Sequence, residues 1–156
     1  MSEAMQALYA GEVEKARQLL PPDDELSVFE AAAFGGLDAL QRILAEDPAQ
    51  ANVRSADGFT ALHLAVFAQQ EEAARLLIDE GADVDALATS SIAKVRPLGT
   101  AAFVRSVPLA RVLLDAGADV NGQGEGGFTA LDSAQQSGDE ELIRLLLECG
   151  AEERPT

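Results

Sequence analysis

The sequence has few of the residues that form disulfides, metal sites and nucleophile pairs. It contains one cysteine, Cys149, and one histidine, His63, among 156 residues. A single cysteine cannot close an intrachain disulfide, which agrees with a reducing compartment. One histidine and one cysteine far apart in the chain supply neither a zinc set nor a Cys–His nucleophile pair. We therefore predict no metal, no cofactor, no catalytic residues and no enzymatic activity.

Positive charge and long apolar runs are also scarce. Lys and Arg total 11 against 27 Asp and Glu, which gives a formal net charge of −16. This charge repels phosphate backbones, so we exclude nucleic acid, and it favours basic protein partners through faster encounter. Alternatively, the acidity only maintains solubility.

No apolar run approaches the ~20 residues that cross a bilayer, and the first residues are acidic rather than signal-like. We expect a cytoplasmic protein without membrane contact.

A repeating pattern is the main feature that the sequence does have. The segment 57–62, Asp-Gly-Phe-Thr-Ala-Leu, returns at 126–131 as Gly-Gly-Phe-Thr-Ala-Leu, and 96–98 is a degenerate copy between them. A second motif, Gly-Ala-Asp-Val at 81–84, returns at 117–120 and in shortened form at 150–151. Because both motifs recur in register, a fixed period of 33 to 36 residues indicates a repeat architecture.

Each unit is predicted to contain two short helices. Thr60 and Thr129 stand where a side-chain oxygen can cap the first helix, since each precedes a stretch of helix-forming residues. Gly81, Gly117 and Gly150 follow the second helix, where a left-handed residue commonly ends one. The predicted helix starts and ends therefore agree with the period.

These motifs resemble the ankyrin repeat. Residues 60–65, Thr-Ala-Leu-His-Leu-Ala, are similar to its T-P-L-H-x-A-A opening, and 113–121 are similar to its L-L-x-x-G-A-D-V-N close. The resemblance implies an all-α solenoid of stacked helix-turn-helix units joined by hairpin loops, in a single domain over 1–156. We predict a helical cap at 1–22, repeats at 25–54, 55–87 and 88–123, and a fourth repeat with the C-terminal cap at 124–156.

The resemblance also implies a docking surface for a protein or peptide. In the family, partners dock on a concave groove formed by hairpin tips and by the residues that follow the alanine pair of each inner helix. The candidates in this sequence are Tyr9, Phe34, Phe67, Phe103 and Val104, with Phe59 and Phe128 beside them. The alternative is that these rings fold onto neighbouring hairpins and complete the core.

We predict a monomeric, non-enzymatic interaction module. The second candidate function is an acidic inhibitor or immunity-type protein that neutralises a basic enzyme.

The third unit departs most from the pattern. Its hairpin, 88–95, carries three extra residues, and Arg96 and Gly99 replace the threonine and the histidine. Arginine cannot cap a helix, which costs ~1 kcal/mol. Lys94 and Arg96 gather positive charge there, so we hypothesise a specificity loop that includes both. A tolerated surface insertion is the alternative.

For His63, the resemblance implies a hydrogen bond that braces adjacent hairpins. The thiol of Cys149 is expected to be half-buried.

Overall fold

The computed structural model describes residues 2–91 and 93–153, and in these ranges the chain forms five consecutive pairs of α-helices. The pairs are α1 (Glu3–Tyr9) with α2 (Val13–Gln18), α3 (Val28–Phe34) with α4 (Leu37–Glu46), α5 (Ala61–Phe67) with α6 (Glu71–Asp79), α7 (Pro97–Phe103) with α8 (Val107–Asp115), and α9 (Ala130–Ser137) with α10 (Glu140–Glu148). Apart from an isolated bridge between Arg54 and Thr60, these ranges contain no β-structure. The predicted all-α solenoid is confirmed, while the exact boundaries between units stay a prediction.

We call the first helix of each pair inner and the second outer. Among the inner helices, α3, α5 and α9 begin at reciprocal side-chain caps. Thr60 and Thr129 each accept a hydrogen bond from the backbone N–H three residues later, and that third residue returns a bond to the threonine N–H. Ser27 caps α3 in the same way. Both predicted threonine caps are therefore confirmed. Helix α7 has no side-chain cap at Arg96, as predicted, and starts instead on Pro97, whose fixed φ suits the first turn.

The outer helices end where the repeated glycines were expected to end them. Gly81, Gly117 and Gly150 have φ of 97°, 95° and 97°, the left-handed conformation that glycine adopts without steric cost. Helix α4 lacks this glycine and ends at Glu46, and the carboxylate of the following residue, Asp47, accepts a hydrogen bond from Ala49 N–H.

The main core runs through the last four helix pairs. Small residues of the inner helices pack between leucines of the outer helices, and the fully buried members include Ala31, Ala65, Ala101, Ala134, Leu40, Leu77, Leu113 and Leu146. One helix pair alone cannot bury such a face, so each pair is stabilised by its neighbours.

Asparagine side chains connect successive closing turns. Asn52 donates through Nδ2 to Gly81 O at 3.0 Å and accepts from Asp83 N at 2.7 Å. Asn121 repeats this two-bond contact with Gly150 O at 3.2 Å and Glu152 N at 2.8 Å. Neighbouring repeats are thus joined by directional bonds as well as by apolar packing.

The N-terminal helix pair packs apart from this core. Its buried residues Met5, Ala7, Leu8 and Ala16 form a second cluster with Ala33, Phe59, Leu64 and Ala88. The predicted cap is therefore helical, but it packs against residues of the inner helices and of two hairpins.

Candidate functional site

Three hairpins form one side of the candidate site, and we name them hairpin 2 (54–60), hairpin 3 (88–91 with 93–95) and hairpin 4 (123–128). Each is closed by a backbone hydrogen bond: Ser55 N to Phe59 O at 2.8 Å, Ala88 N to Val95 O at 2.9 Å, and Gly124 N to Phe128 O at 2.8 Å. Neighbouring hairpins are also bonded, through Thr89 N to Gly58 O at 3.0 Å and Glu125 N to Lys94 O at 2.8 Å. The three tips are consequently held as one row.

Glycine permits this close approach of neighbouring hairpins. A Cβ on Gly58 would lie 2.6 Å from Ser90 N, and a Cβ on Gly124 would lie 2.6 Å from Lys94 O. Both distances are shorter than van der Waals contact, so any larger residue would push two hairpins apart.

A groove of about 870 Å³ opens between the hairpins and the inner helices α5, α7 and α9. We call it the open groove. The inner helices contribute Leu64, Thr100 and Ser133 to it. Five of its lining residues are aromatic: Tyr9, Phe59, Phe67, Phe103 and Phe128. The groove is therefore mainly apolar, with polar groups along its edges.

The predicted aromatic residues differ in their environments. Phe103 is 71% exposed and Phe128 is 40% exposed, whereas Phe59 is 8% exposed and belongs to the N-terminal cluster. For Phe59, the alternative that the ring completes a core is the correct one. Phe34 and Val104 are half-buried and do not line the open groove. The open groove thus contains only part of the predicted row.

Tyr9 forms the upstream end of the open groove. Its ring lies 5.9 Å from that of Phe67 in an edge-on arrangement and 6.4 Å from that of Phe59. Burial, and then the negative charge of Asp57, raise the pKa of the Tyr9 hydroxyl to about 12, so the group is protonated at neutral pH. Because Tyr9 reaches the ring of Phe67, the N-terminal helix pair covers part of the surface formed by the inner helices.

Comparison with known proteins agrees with this arrangement. A family described as ankyrin repeats (3 copies) matches residues 3–88, and one described as ankyrin repeats (many copies) matches residues 98–147. The chain belongs to the ankyrin-repeat family. Ankyrin repeats generally act as protein-protein interaction modules. The match over residues 3–88 includes the N-terminal helix pair, α1 and α2.

Among curated ankyrin relatives, similarity is confined to short stretches. The chain is 40% identical over 80 residues to a probable E3 ubiquitin-protein ligase of Oryza sativa subsp. japonica, covering 51% of this chain and 17% of that protein. It is 39% identical over 67 residues to an ankyrin repeat and SAM domain-containing protein of Danio rerio, covering 41% and 9%. It is 43% identical over 99 residues to the B-cell lymphoma 3 protein of Homo sapiens, covering 64% and 21%. The chain spans less than a quarter of the length of each.

The two basic candidates of this ankyrin domain have different surroundings. Arg96 is half-buried and donates through Nε to Gln123 O at 2.9 Å and through Nη1 to Asp85 O at 2.6 Å. Lys94 is exposed, and its ammonium group makes no ion pair with any residue of the described part of the chain. Arg96 therefore ties the ankyrin stack together, whereas Lys94 is available at the groove edge. These two hydrogen bonds of Arg96 were not predicted from the sequence. The available signal was Gly99, which replaces the histidine that would otherwise contact the next hairpin.

His63 makes the bracing contact that the ankyrin resemblance implied. Its Nδ1 accepts from Thr60 N at 3.2 Å, so the ring proton lies on Nε2, which donates to Val95 O in hairpin 3 at 2.9 Å. Burial is the largest cause that lowers the pKa of His63 to about 4, and the imidazole is neutral at physiological pH. Both ring nitrogens are thus engaged in structural hydrogen bonds.

Three further sequence expectations concern the exposure of Cys149, membrane contact and metal binding. Cys149 is exposed at the end of α10, so the expectation of a half-buried thiol was wrong. This follows from its position at the helix end, beyond the buried Leu145 and Leu146. Across 2–91 and 93–153, no helix has the length and apolarity to cross a bilayer, and no three His, Cys, Asp or Glu residues lie where they could share a metal ion.

Proposed function

We propose that this ankyrin-repeat protein binds a protein or peptide partner in the open groove and does not transform it chemically. The observation that carries the proposal is Phe103, a large ring with 71% of its surface exposed in an apolar groove. Exposed apolar patches of this kind mark interaction sites, and aromatic side chains contribute much of the binding energy at interfaces. Phe67 and Phe128 extend the same surface on either side.

The residues of the groove support binding rather than catalysis. Catalysis generally requires titratable groups that converge on a pocket with perturbed pKa values. His63 is the candidate general base here, and both of its ring nitrogens are already bonded to the protein. Ankyrin repeats are in general non-enzymatic interaction modules, which agrees with this reasoning.

The test places a photo-crosslinking amino acid at position 103 and, as a control, at position 147 on the outer helix α10. Leu147 is 41% exposed but lies away from the open groove. We expect a specific crosslinked partner from the native host only with the label at 103. We also expect Phe103→Ala to weaken binding of that partner about tenfold or more without a change in melting temperature, because the ring is largely in solvent. Equal crosslinking from both positions would contradict the proposal.

A second candidate function is inhibition of a basic enzyme, which the net charge of −16 favours. Electrostatic steering raises the association rate of oppositely charged proteins and is screened by salt. This candidate predicts that the association rate falls steeply as the salt concentration rises to about 0.5 M, where the Debye length is only a few ångströms. A partner whose association rate is insensitive to salt would eliminate it.

A further inference from the structure

One part of the surface formed by the inner helices is already covered by a helix of the chain itself. Helices α1 and α2 form a buried cluster with Ala33 of α3 and Leu64 of α5, and the Tyr9 ring contacts Phe67. A small cleft of about 260 Å³ separates Leu8 and Val13 from the ends of the inner helices. Leu64 and Phe67 also line the open groove. The occupied and open parts are therefore one continuous surface.

The seated helix α1 shows what kind of segment this surface accepts. Its buried residues, Ala4, Met5, Ala7 and Leu8, fall at the three- and four-residue spacing of one helix face. Glu3 and Gln6, on the other side, are exposed. A short amphipathic helix with small and medium apolar side chains is thus buried here between α2 and a cluster that includes Ala33 of α3 and Leu64 of α5.

We infer that the open groove accepts a short amphipathic helix of a protein partner, with a large apolar side chain between Phe67 and Phe103 and basic residues on its outer side. This inference rests on the proposed function and specifies the partner. Gly99 and Thr100 also line the groove. Because glycine has no side chain and threonine has a small one, this part of the lining leaves room for an inserted side chain.

Backbone hydrogen bonding favours a helix over an extended segment. An extended peptide gains affinity when it pairs with free backbone groups of a sheet edge or loop. In hairpin 3, Lys94 O accepts from Glu125 N, and Val95 O accepts from both Ala88 N and His63 Nε2. With these groups occupied, an extended segment in an apolar groove would leave its own polar groups unpaired, whereas a helix pairs them internally.

Charge favours a basic outer side on the bound helix. The whole chain carries −16, and two exposed carboxylates, Asp119 and Glu125, line the groove on the hairpin 4 side. Neither makes an ion pair within the described ranges. Two cations, Lys94 and Arg96, line the other side. Lys94 is exposed, whereas Arg96 is half-buried and donates to the backbone carbonyls of Gln123 and Asp85. Lysine or arginine on the partner would face unpaired acids at one edge and one exposed cation, Lys94, at the other.

The experiment selects binders to the chain of residues 1–156 from two displayed peptide libraries of equal length. One library is built on a helix-forming framework, and the other contains prolines at intervals that prevent a helix. Bound clones are then tested against Phe103→Ala and against Leu147→Ala as the matched exposed control. We expect groove-dependent clones, those weakened about tenfold or more by Phe103→Ala alone, to come from the helical library and to be rich in lysine or arginine.

The other outcomes separate this inference from the proposed function. Groove-dependent clones from the proline library would overturn the helical partner and leave the interaction module intact. Acidic helical clones would overturn the basic outer side. An absence of groove-dependent clones from both libraries would overturn the inference together with the proposed function. A dimer in light scattering that Phe103→Ala converts to a monomer would assign the groove to a second copy of the chain and overturn the inference.

Discussion

Helices α5 and α7 occupy equivalent positions in neighbouring repeats, yet they begin differently. At α5, Thr60 caps the helix, and His63 both completes the cap and braces hairpin 3. At α7, Arg96 caps nothing, and Gly99 has no side chain to brace hairpin 4. The brace comes instead from Arg96, which bonds to Gln123 at the start of hairpin 4. In both repeats a side chain near the helix start bonds to the next hairpin, and two different positions supply this bond.

Val95, the last residue of hairpin 3, leaves little space for a side chain at position 99. A Cβ on Gly99 would lie 2.9 Å from Cγ2 of Val95. Part of the space that a histidine at this position would need is therefore occupied by Val95, which fits the presence of glycine here.

The largest expected effect comes from removing the brace at α5. His63→Ala deletes the bond to Val95 O and the acceptor for Thr60 N–H, and it leaves a cavity where a fully buried ring stood. We expect a loss of about 3 kcal/mol in the free energy of unfolding, measured by urea denaturation. The matched control, Asp132→Ala, removes the corresponding capping residue of α9 and should cost about 1 kcal/mol. Equal losses would mean that the brace contributes nothing beyond the cap.

A pH titration tests the same brace without a cavity. The pKa of His63 is about 4 in the folded protein and about 6.5 when unfolded, so between these values the unfolded chain binds more protons. The contribution of the neutral His63 ring to the free energy of unfolding is therefore complete above pH 6.5, and it is lost as the pH falls toward 4. Between pH 7 and 5, the protein should lose about 2 kcal/mol more than a His63→Gln variant, which lacks this titration. Parallel pH profiles would contradict a buried, neutral histidine.

Removing the substitute brace at α7 should have a smaller effect. Arg96→Ala deletes the bonds to Gln123 O and Asp85 O from a half-buried side chain, and we expect a loss of about 1.5 kcal/mol. Arg96→Thr should recover about 1 kcal/mol of this through a new helix cap, although it cannot restore the brace. Arg75→Ala, which breaks an exposed ion pair on α6, is the control and should cost no more than about 0.5 kcal/mol. Full recovery by threonine would show that the brace is dispensable.

Local features of this fold were predictable from the sequence, whereas contacts between distant segments were not. The caps at Thr60 and Thr129 and the helix end at Gly81 depend on a few adjacent residues, and the repeat period fixed their register. The packing of Tyr9 on Phe67 depends on how the N-terminal pair folds back, which no local pattern encodes. Burial of Phe59 has the same origin, although this ring still lines the open groove. The predicted residues that do not line the groove are Phe34 and Val104.

The smallest predicted effect concerns the closing turn between the second and third repeats. Asn52 and Asn121 each make two bonds across their turns, but the equivalent Asp85 makes one, accepting from Asp119 N at 2.9 Å. A carboxylate cannot donate to Gly117 O as the asparagines donate to Gly81 and Gly150. Asp85→Asn should therefore supply the missing bond and stabilise the fold by about 0.5 to 1 kcal/mol in urea denaturation.

The reverse substitution, Asn52→Asp, is its matched control and should destabilise the fold by a similar amount, because it removes the donor to Gly81 O. A loss of stability in Asp85→Asn would mean that the carboxylate is kept for its attraction to the Arg96 guanidinium, which donates to the Asp85 carbonyl. In that case the third repeat would differ from its neighbours through a linked pair, Asp85 and Arg96, rather than through the start of α7 alone.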